Sequence, residues 1–172
     1  MRIVSLLILG TVTLLAGCER DEPLVATKTD ELPAGLFLNQ PPGQADDVIH
    51  VKRTAREGDS VVMRARVGGS KEPIAPARAI FTVTDLSLQT CDKSPTDSCP
   101  TPWDNCCDPT DVIADNSATI EVVNAGGRPL RLSLAGVGGL APMKEIVVIG
   151  KVRGTVDARN LVIDAAGIYV KN

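Results

Sequence analysis

The sequence predicts a small all-β fold: a five- to six-stranded barrel with one short helix and a disulfide-stapled loop insertion. Three observations lead there. Segments around residues 61–67, 79–83 and 118–122 alternate apolar and polar residues with a period of two, the mark of half-buried strands. Gly68, Gly69, Gly150 and Gly167 stand inside or beside strand patterns, where tight coiling or bulges call for them. Only one stretch, near residues 46–58, has helical spacing. The 172 residues contain two phenylalanines, one tryptophan and one tyrosine. The interior must therefore be built from valine, leucine, isoleucine and alanine, in one modest domain.

The chain opens MRIVSLLILGTVTLLAGCER. Arg2 supplies a positive start, and an apolar run follows from Ile3 to Ala16. That run is shorter than the roughly 20 residues a membrane-spanning helix needs. It has the layout of an export signal ending in small residues. Leu15-Ala16-Gly17-Cys18 resembles a bacterial lipobox. The resemblance implies cleavage by signal peptidase II before Cys18 and a diacylglycerol on its thiol. Each buried CH₂ of such an anchor adds about 0.8 kcal/mol. Glu19 is not the aspartate that favours inner-membrane retention in enterobacterial lipoproteins, so the resemblance implies the outer membrane, facing the periplasm. Residues 1–17 are thus expected to be a signal peptide and residues 18–45 a lipidated tether rich in charge and proline. Within it, Leu36, Phe37 and Leu38 can dock as a short strand.

The barrel domain is expected over residues 46–172. DDVIHVKRTAREG predicts a helix in which Asp46 or Asp47 caps the start, Gly58 ends it, and Val48, Val51 and Ala55 face inward. A strand over residues 48–51 is the alternative. In VVMRARV, residues Val61, Met63, Ala65 and Val67 point in, while Arg64 and Arg66 share the outer face. Gly68-Gly69 allows a sharp bend. AIFTVTD turns Ala79, Phe81 and Val83 inward. Residues 86–116 are an insertion rich in Cys, Pro, Asp, Ser and Thr, without apolar periodicity. ATIEVV resumes the alternation, Asn124-Ala125-Gly126-Gly127 reads as a hairpin turn, and Leu130, Leu132 and Leu134 predict a returning strand. GVGGLAPM reads as a loop or weak helix. KEIVVIGKVRG and LVIDAAGIYV complete the set of strands.

VVMRARVGG, FTVTD and EIVVIGKV resemble the V-x-x-x-G-x-V, F-x-x-x-D and E-V-x-V-x-G-x-V strands of the bacterial OB-fold (BOF) family of small exported proteins. That family sets a helix before the barrel. The resemblance spans about residues 46–172 without the insertion, and it implies a five- to six-stranded OB-like Greek-key barrel. Ala65 stands where the first pattern has glycine. The thirty-residue loop has no counterpart in compact members. Its T-P-W-D-x-C-C element resembles one in uncharacterised bacterial lipoproteins, from which no activity follows.

With Cys18 assigned to lipid, Cys91, Cys99, Cys106 and Cys107 remain, spaced Cys-x7-Cys-x6-Cys-Cys. An even set in an exported chain reads first as disulfides. Two crosslinks would order a loop with little apolar surface, at typically 2–4 kcal/mol each. Adjacent cysteines rarely bond each other, so Cys106 and Cys107 are expected to pair with Cys91 and Cys99, in either order. Trp103 would cover the loop, and Pro100, Pro102 and Pro109 would stiffen it. The alternative is tetrahedral zinc or copper(I) on the same four thiolates. Against it, paired C-x2-C knuckles are missing and the only histidine, His50, is far off in sequence. A redox centre would want the C-x-x-C spacing that is absent. Asp104, Asp108, Asp111 and Asp115 lack the EF-hand alternation and read as solvated loop acids.

There is no G-x-S-x-G elbow, P-loop or dinucleotide fingerprint. The formal net charge is -3, about -4 once Arg2 leaves with the signal. An acidic, aromatic-poor chain lacks what a nucleic-acid groove requires. The expectation is therefore a non-enzymatic module without cofactor, anchored to the membrane by lipid. Its barrel would bind a protein, peptide, glycan or small ligand, with Trp103, Arg64 and Arg66 as candidate contacts. Metal handling by the four loop cysteines is the alternative function.

Overall fold

The computed structural model describes residues 30–93 and 99–172, so the leader, Cys18 and residues 94–98 lie outside the described residues. The elements follow as β1 (Asp46–Asp47), α1 (Val48–Thr54), β2 (Ser60–Val67), β3 (Ile80–Thr84), α2 (Thr110–Asp115), β4 (Ser117–Glu121), β5 (Glu145–Asp157) and β6 (Asn160–Val170). Their order in the sheet is β1-β2-β3-β4-β6-β5. β5 then returns to β2, in register from Ser60–Lys151 to Arg66–Glu145, and closes the barrel. β2, β3 and β4 form an antiparallel meander, β6 lies parallel to β4, and β5 and β6 make a long hairpin. This is the small barrel that the strand patterns predict, with the OB-like topology that the resemblance implies.

Alternation decides what fills it. Met63, Ala65 and Val67 of β2, Phe81 and Val83 of β3, and Ala118 and Ile120 of β4 are buried. So are Ile146, Val148 and Val152 of β5 and Leu161, Ile163 and Ile168 of β6. Each fully buried branched side chain of this kind stabilises the fold by about 1.5–3 kcal/mol. Gly150 is required by the closeness of β6. A Cβ there would lie 2.4 Å from Ile163 Cγ2 and 2.5 Å from the Asp164 carbonyl oxygen. The ladder shifts register between Ile149 and Gly150, as a bulge does.

α1 closes one end of the barrel with Val48 and Val51. It is shorter than predicted and capped differently. Asp47 occupies the N-cap position but makes no capping bond, because its carboxylate pairs with Arg64 at 2.6 Å. Instead Asp85, at the end of β3, accepts the Ile49 N–H at 3.1 Å. The helix ends at Thr54, and Gly58 serves a following turn at φ +87°. Lys52, almost wholly buried, donates to the carbonyls of Ala114 (2.6 Å), Asp115 (3.3 Å) and Ala158 (2.9 Å). It thus ties α1 to the end of α2 and to the β5–β6 turn. Burial holds its amine below the usual lysine range, against the pull of Asp115 and Asp157.

Two other expectations change. Leu130, Leu132 and Leu134 do not form a strand. Beyond the Val123–Pro129 bridge the returning arm has no edge to pair with, since β4 is flanked by β3 and β6. Leu130 and Leu134 are nonetheless buried, so their alternation reports core packing. The insertion holds the helix α2, which the sequence pattern did not announce. Leu36–Leu38 does dock: Leu38 N–H donates to Ile168 O at 2.8 Å, and Ile168 N–H to Leu36 O at 2.7 Å.

Candidate metal centre in the cysteine loop

The loop leaves the barrel at Asp85 and returns through α2 to β4. Along the way it is fastened at several points. Asp85, buried, accepts from Ser87 N–H at 2.9 Å and Ser87 Oγ at 2.7 Å. Arg66 Nη1 donates to Leu88 O at 3.0 Å. Asn105 is 1 % exposed and donates through Nδ2 to Gln89 O at 2.6 Å. Its φ of +56° is one that asparagine tolerates better than most residues. Cys91 N–H donates to Pro102 O at 3.0 Å, which draws the two arms of the loop together.

The glycine pair after β2 is the seat for this structure. Gly69 N–H donates to Trp103 O at 2.8 Å, and a Cβ on Gly68 would stand 2.6 Å from that same oxygen. Trp103 is half-buried, and its indole N–H donates to Lys71 O at 3.2 Å. The tryptophan therefore clamps the loop to the β2–β3 connection.

So fastened, the loop gathers four side chains. The sulfurs of Cys91, Cys99 and Cys106 and a carboxylate oxygen of Asp104 all lie within 4.8 Å of one another. The Cys99 and Cys106 sulfurs are 4.0 Å apart. Tetrahedral zinc, with Zn–S near 2.3 Å, sets two thiolates about 3.8 Å apart. An S–S bond is about 2.05 Å long. Cys91, Cys99 and Asp104 are half-buried and Cys106 is exposed. Cys107, also exposed, stands outside the group of four.

Asp104 is oriented by its neighbours. It accepts from Thr101 Oγ1 at 2.7 Å and from Cys106 N–H at 3.0 Å. Burial alone would raise its carboxyl, but these bonds and the charge of Lys71 outweigh burial and leave it below the usual carboxylate range. The hydrogen bond to Asp104, then that to Cys99, pushes the Cys106 thiol up to about 12. A divalent cation among these groups would displace that proton and reverse the effect.

Of the residues singled out in the sequence, the structure joins Cys91, Cys99 and Cys106, and it replaces the expected Cys107 with Asp104. The sequence pattern alone makes Asp104 a solvated loop acid, and the fold corrects this by setting its carboxylate among the three sulfurs. Its signal was local: one residue before Cys106's neighbour, in Thr-x-x-Asp-x-Cys, where the threonine can orient the carboxylate. Asp111, Asp115 and His50 are exposed and take no part, and Asp108 is outside the group. Arg64 pairs with Asp47 and Arg66 holds the start of the loop, so both basic side chains of β2 are engaged in the fold. Cys18 lies outside the described residues.

Barrel and site together define a class: an OB-like barrel whose inserted loop presents three thiols and a carboxylate able to hold a metal ion. No known protein family and no curated protein matches the chain. Among solved structures it is similar to an aspartyl tRNA synthetase from Entamoeba histolytica, at 15% sequence identity and a TM-score of 0.39. The similarity covers 86% of this chain and 27% of that one, so the chain spans about a quarter of its length.

Proposed function

We propose that this protein is a non-enzymatic, lipid-anchored OB-like module of the cell envelope that binds a zinc-type cation on its cysteine loop. The convergence of Cys91, Cys99, Asp104 and Cys106 within 4.8 Å supports this reading. A disulfide joins two sulfurs and makes no demand on a third sulfur and a carboxylate. The carboxylate favours zinc over copper(I), which prefers soft ligands alone. Exposure of Cys106 leaves the ion within reach of solvent and of exchange partners.

The test is loading of the fully reduced protein with zinc, and with cobalt(II) as a spectroscopic substitute. One ion per chain is expected, with thiolate-to-cobalt charge-transfer absorption. Cys91→Ser, Cys99→Ser and Cys106→Ser should each weaken binding strongly, while Cys107→Ser should not. Absence of binding to reduced protein would sink the reading, as would an equal loss in all four variants. The 4.0 Å approach of Cys99 to Cys106 favours a second reading, a crosslinked loop. Metal-free protein from the periplasm that resists alkylation at these two positions would establish it. Lipid anchoring has its own measurement: incorporation of labelled fatty acid, abolished by Cys18→Ser.

A further inference from the structure

Net charge conceals a local asymmetry on this acidic chain. On the barrel wall away from the cysteine loop, a cavity of about 180 Å³ is lined by Asp30, Arg78, Asn124, Arg128, Pro129 and Arg131. Three arginines and one carboxylate therefore face one another. Among the described residues, no hydrogen bond or ion pair engages the guanidinium of Arg78, Arg128 or Arg131.

Their backbones are held firmly. Ala79 N–H donates to Leu130 O, Val122 N–H to Ala79 O, and Leu130 N–H to Val122 O, each at 2.9 Å. Arg78 precedes the first of these residues and Arg131 follows the last donor, so the network fixes where both side chains start. Arg128 belongs to the adjoining turn. Its carbonyl accepts from Asn124 N–H at 2.9 Å, and its N–H donates to Asn124 Oδ1 at 3.2 Å. Asn124 Oδ1 also accepts from Gly126 N–H, which leaves the amide NH₂ of that side chain as a further donor. Arg153 pins the same turn through Gly127 O at 3.0 Å, and Glu121 and Asp164 neutralise it. Asp30 Oδ2 accepts the Arg131 N–H at 2.8 Å. The cavity is thus ringed by donors whose backbones are fixed, with a single acidic wall.

We infer that Arg78, Arg128 and Arg131 form a binding site for a phosphate-bearing anion, either free phosphate or the headgroup of an anionic phospholipid. Guanidinium is the side chain best matched to phosphate oxygens, and fixed backbones reduce the ordering cost of the complex. The place suits a headgroup. Asp30, on the cavity wall, lies twelve residues beyond Cys18, a stretch that spans at most about 40 Å. That last point rests on the anchoring proposed above; the anion chemistry and the metal site are independent of it.

Arginine footprinting with phenylglyoxal, read residue by residue by mass spectrometry, tests the site in the full chain. In a neutral detergent, inorganic phosphate should slow modification of Arg78, Arg128 and Arg131 several-fold, and chloride at equal ionic strength should not. The exposed Arg53, Arg56 and Arg159 serve as controls and should be unaffected. Reconstitution into phosphatidylglycerol-containing vesicles, against phosphatidylcholine alone, separates the sources. Protection by the anionic vesicles identifies a headgroup site, and protection by phosphate only identifies a free-anion site. Protection by neither, or equal protection of all six arginines, overturns the inference. Equilibrium dialysis with phosphate adds two variants. Arg78→Ala/Arg128→Ala/Arg131→Ala should lose binding with an unchanged circular dichroism spectrum, and Asp30→Asn should tighten it.

Discussion

Asp104 holds the Cys106 thiol protonated and also belongs to the donor set that a metal would use. Those two roles make opposite predictions for one substitution. Asp104→Asn weakens the carboxylate hydrogen bond that chiefly raises the thiol and removes the charge that adds to it. Alkylation of Cys106 at pH 8–9 should therefore accelerate, while zinc affinity should fall by at least about tenfold, as loss of a ligand does. A carboxylate that merely braced the loop would lower affinity without bringing Cys106 into titration range. The same proton sets a pH dependence. With Cys106 pushed up to about 12, cation and proton compete throughout the neutral range, so zinc affinity should rise with pH and fall on acidification. Competition with a chromophoric chelator between pH 6 and 8.5 measures the slope. Asp85 is the comparable residue for the fold. Asp85→Ala strips a ligand from the first turn of α1 and from Ser87 at once. Ile49 is half-buried and Ser87 exposed, so the loss of these hydrogen bonds should cost about 1 kcal/mol, measurable by urea denaturation.

The cysteine loop depends on the element beside it. It has few apolar side chains of its own, so it takes its order from the seat at Gly68-Gly69, from Arg66 and from Asn105. Gly68→Ala would drive a methyl into the Trp103 carbonyl, a backbone atom that cannot swing aside. The expected result is a loop displaced from its seat, a stability loss of about 1–3 kcal/mol, and zinc binding weaker than in wild type. Thermal melting and cobalt titration on the same sample check both. Strand content by circular dichroism should be unchanged, since β2 to β6 close without the loop. Lys52 performs the corresponding service for the helices, joining α1 to α2 through the Ala114 and Asp115 carbonyls and to the β5–β6 turn through that of Ala158.

The whole molecule is a closed sheet carrying an appended loop, and under the proposed metal binding the two should respond differently when a bound ion is removed. A ligand that binds only the ordered loop stabilises that loop by mass action. In zinc-loaded protein, stripping the ion with a chelator should therefore raise amide hydrogen exchange around Cys91 and in residues 99–116. Exchange in the β2–β5 seam and the β5–β6 hairpin should stay slow. Equal loss of protection in the seam would mean that ion and barrel form one cooperative unit.

What was legible in the sequence follows from how far each signal reaches along the chain. Period-two alternation is a property of neighbouring residues, and it located β2 to β6 and, in β2 to β4, the inward side chains from Met63 to Ile120. Gly68, Gly69 and Gly150 marked a bend, a close approach and a bulge for the same reason. Other features escaped because their partners are remote. The α1 cap comes from Asp85, 36 residues beyond Ile49. The Leu130–Leu134 arm looked like a strand, but only the strand order shows that β4 has no edge left for it. Asp104 looked like any loop acid until folding set it beside three sulfurs. Arg78 and Arg131 come together only through the hydrogen bonds of Ala79, Val122 and Leu130. The sequence by itself thus determined a small all-β barrel preceded by a short helix and carrying a cysteine-loop insertion, since local pattern and hydrophobic burial suffice for that. Which side chains share a site was decided by the tertiary structure alone, because a ligand set or a charged cavity is made by distances between residues that the chain order keeps apart.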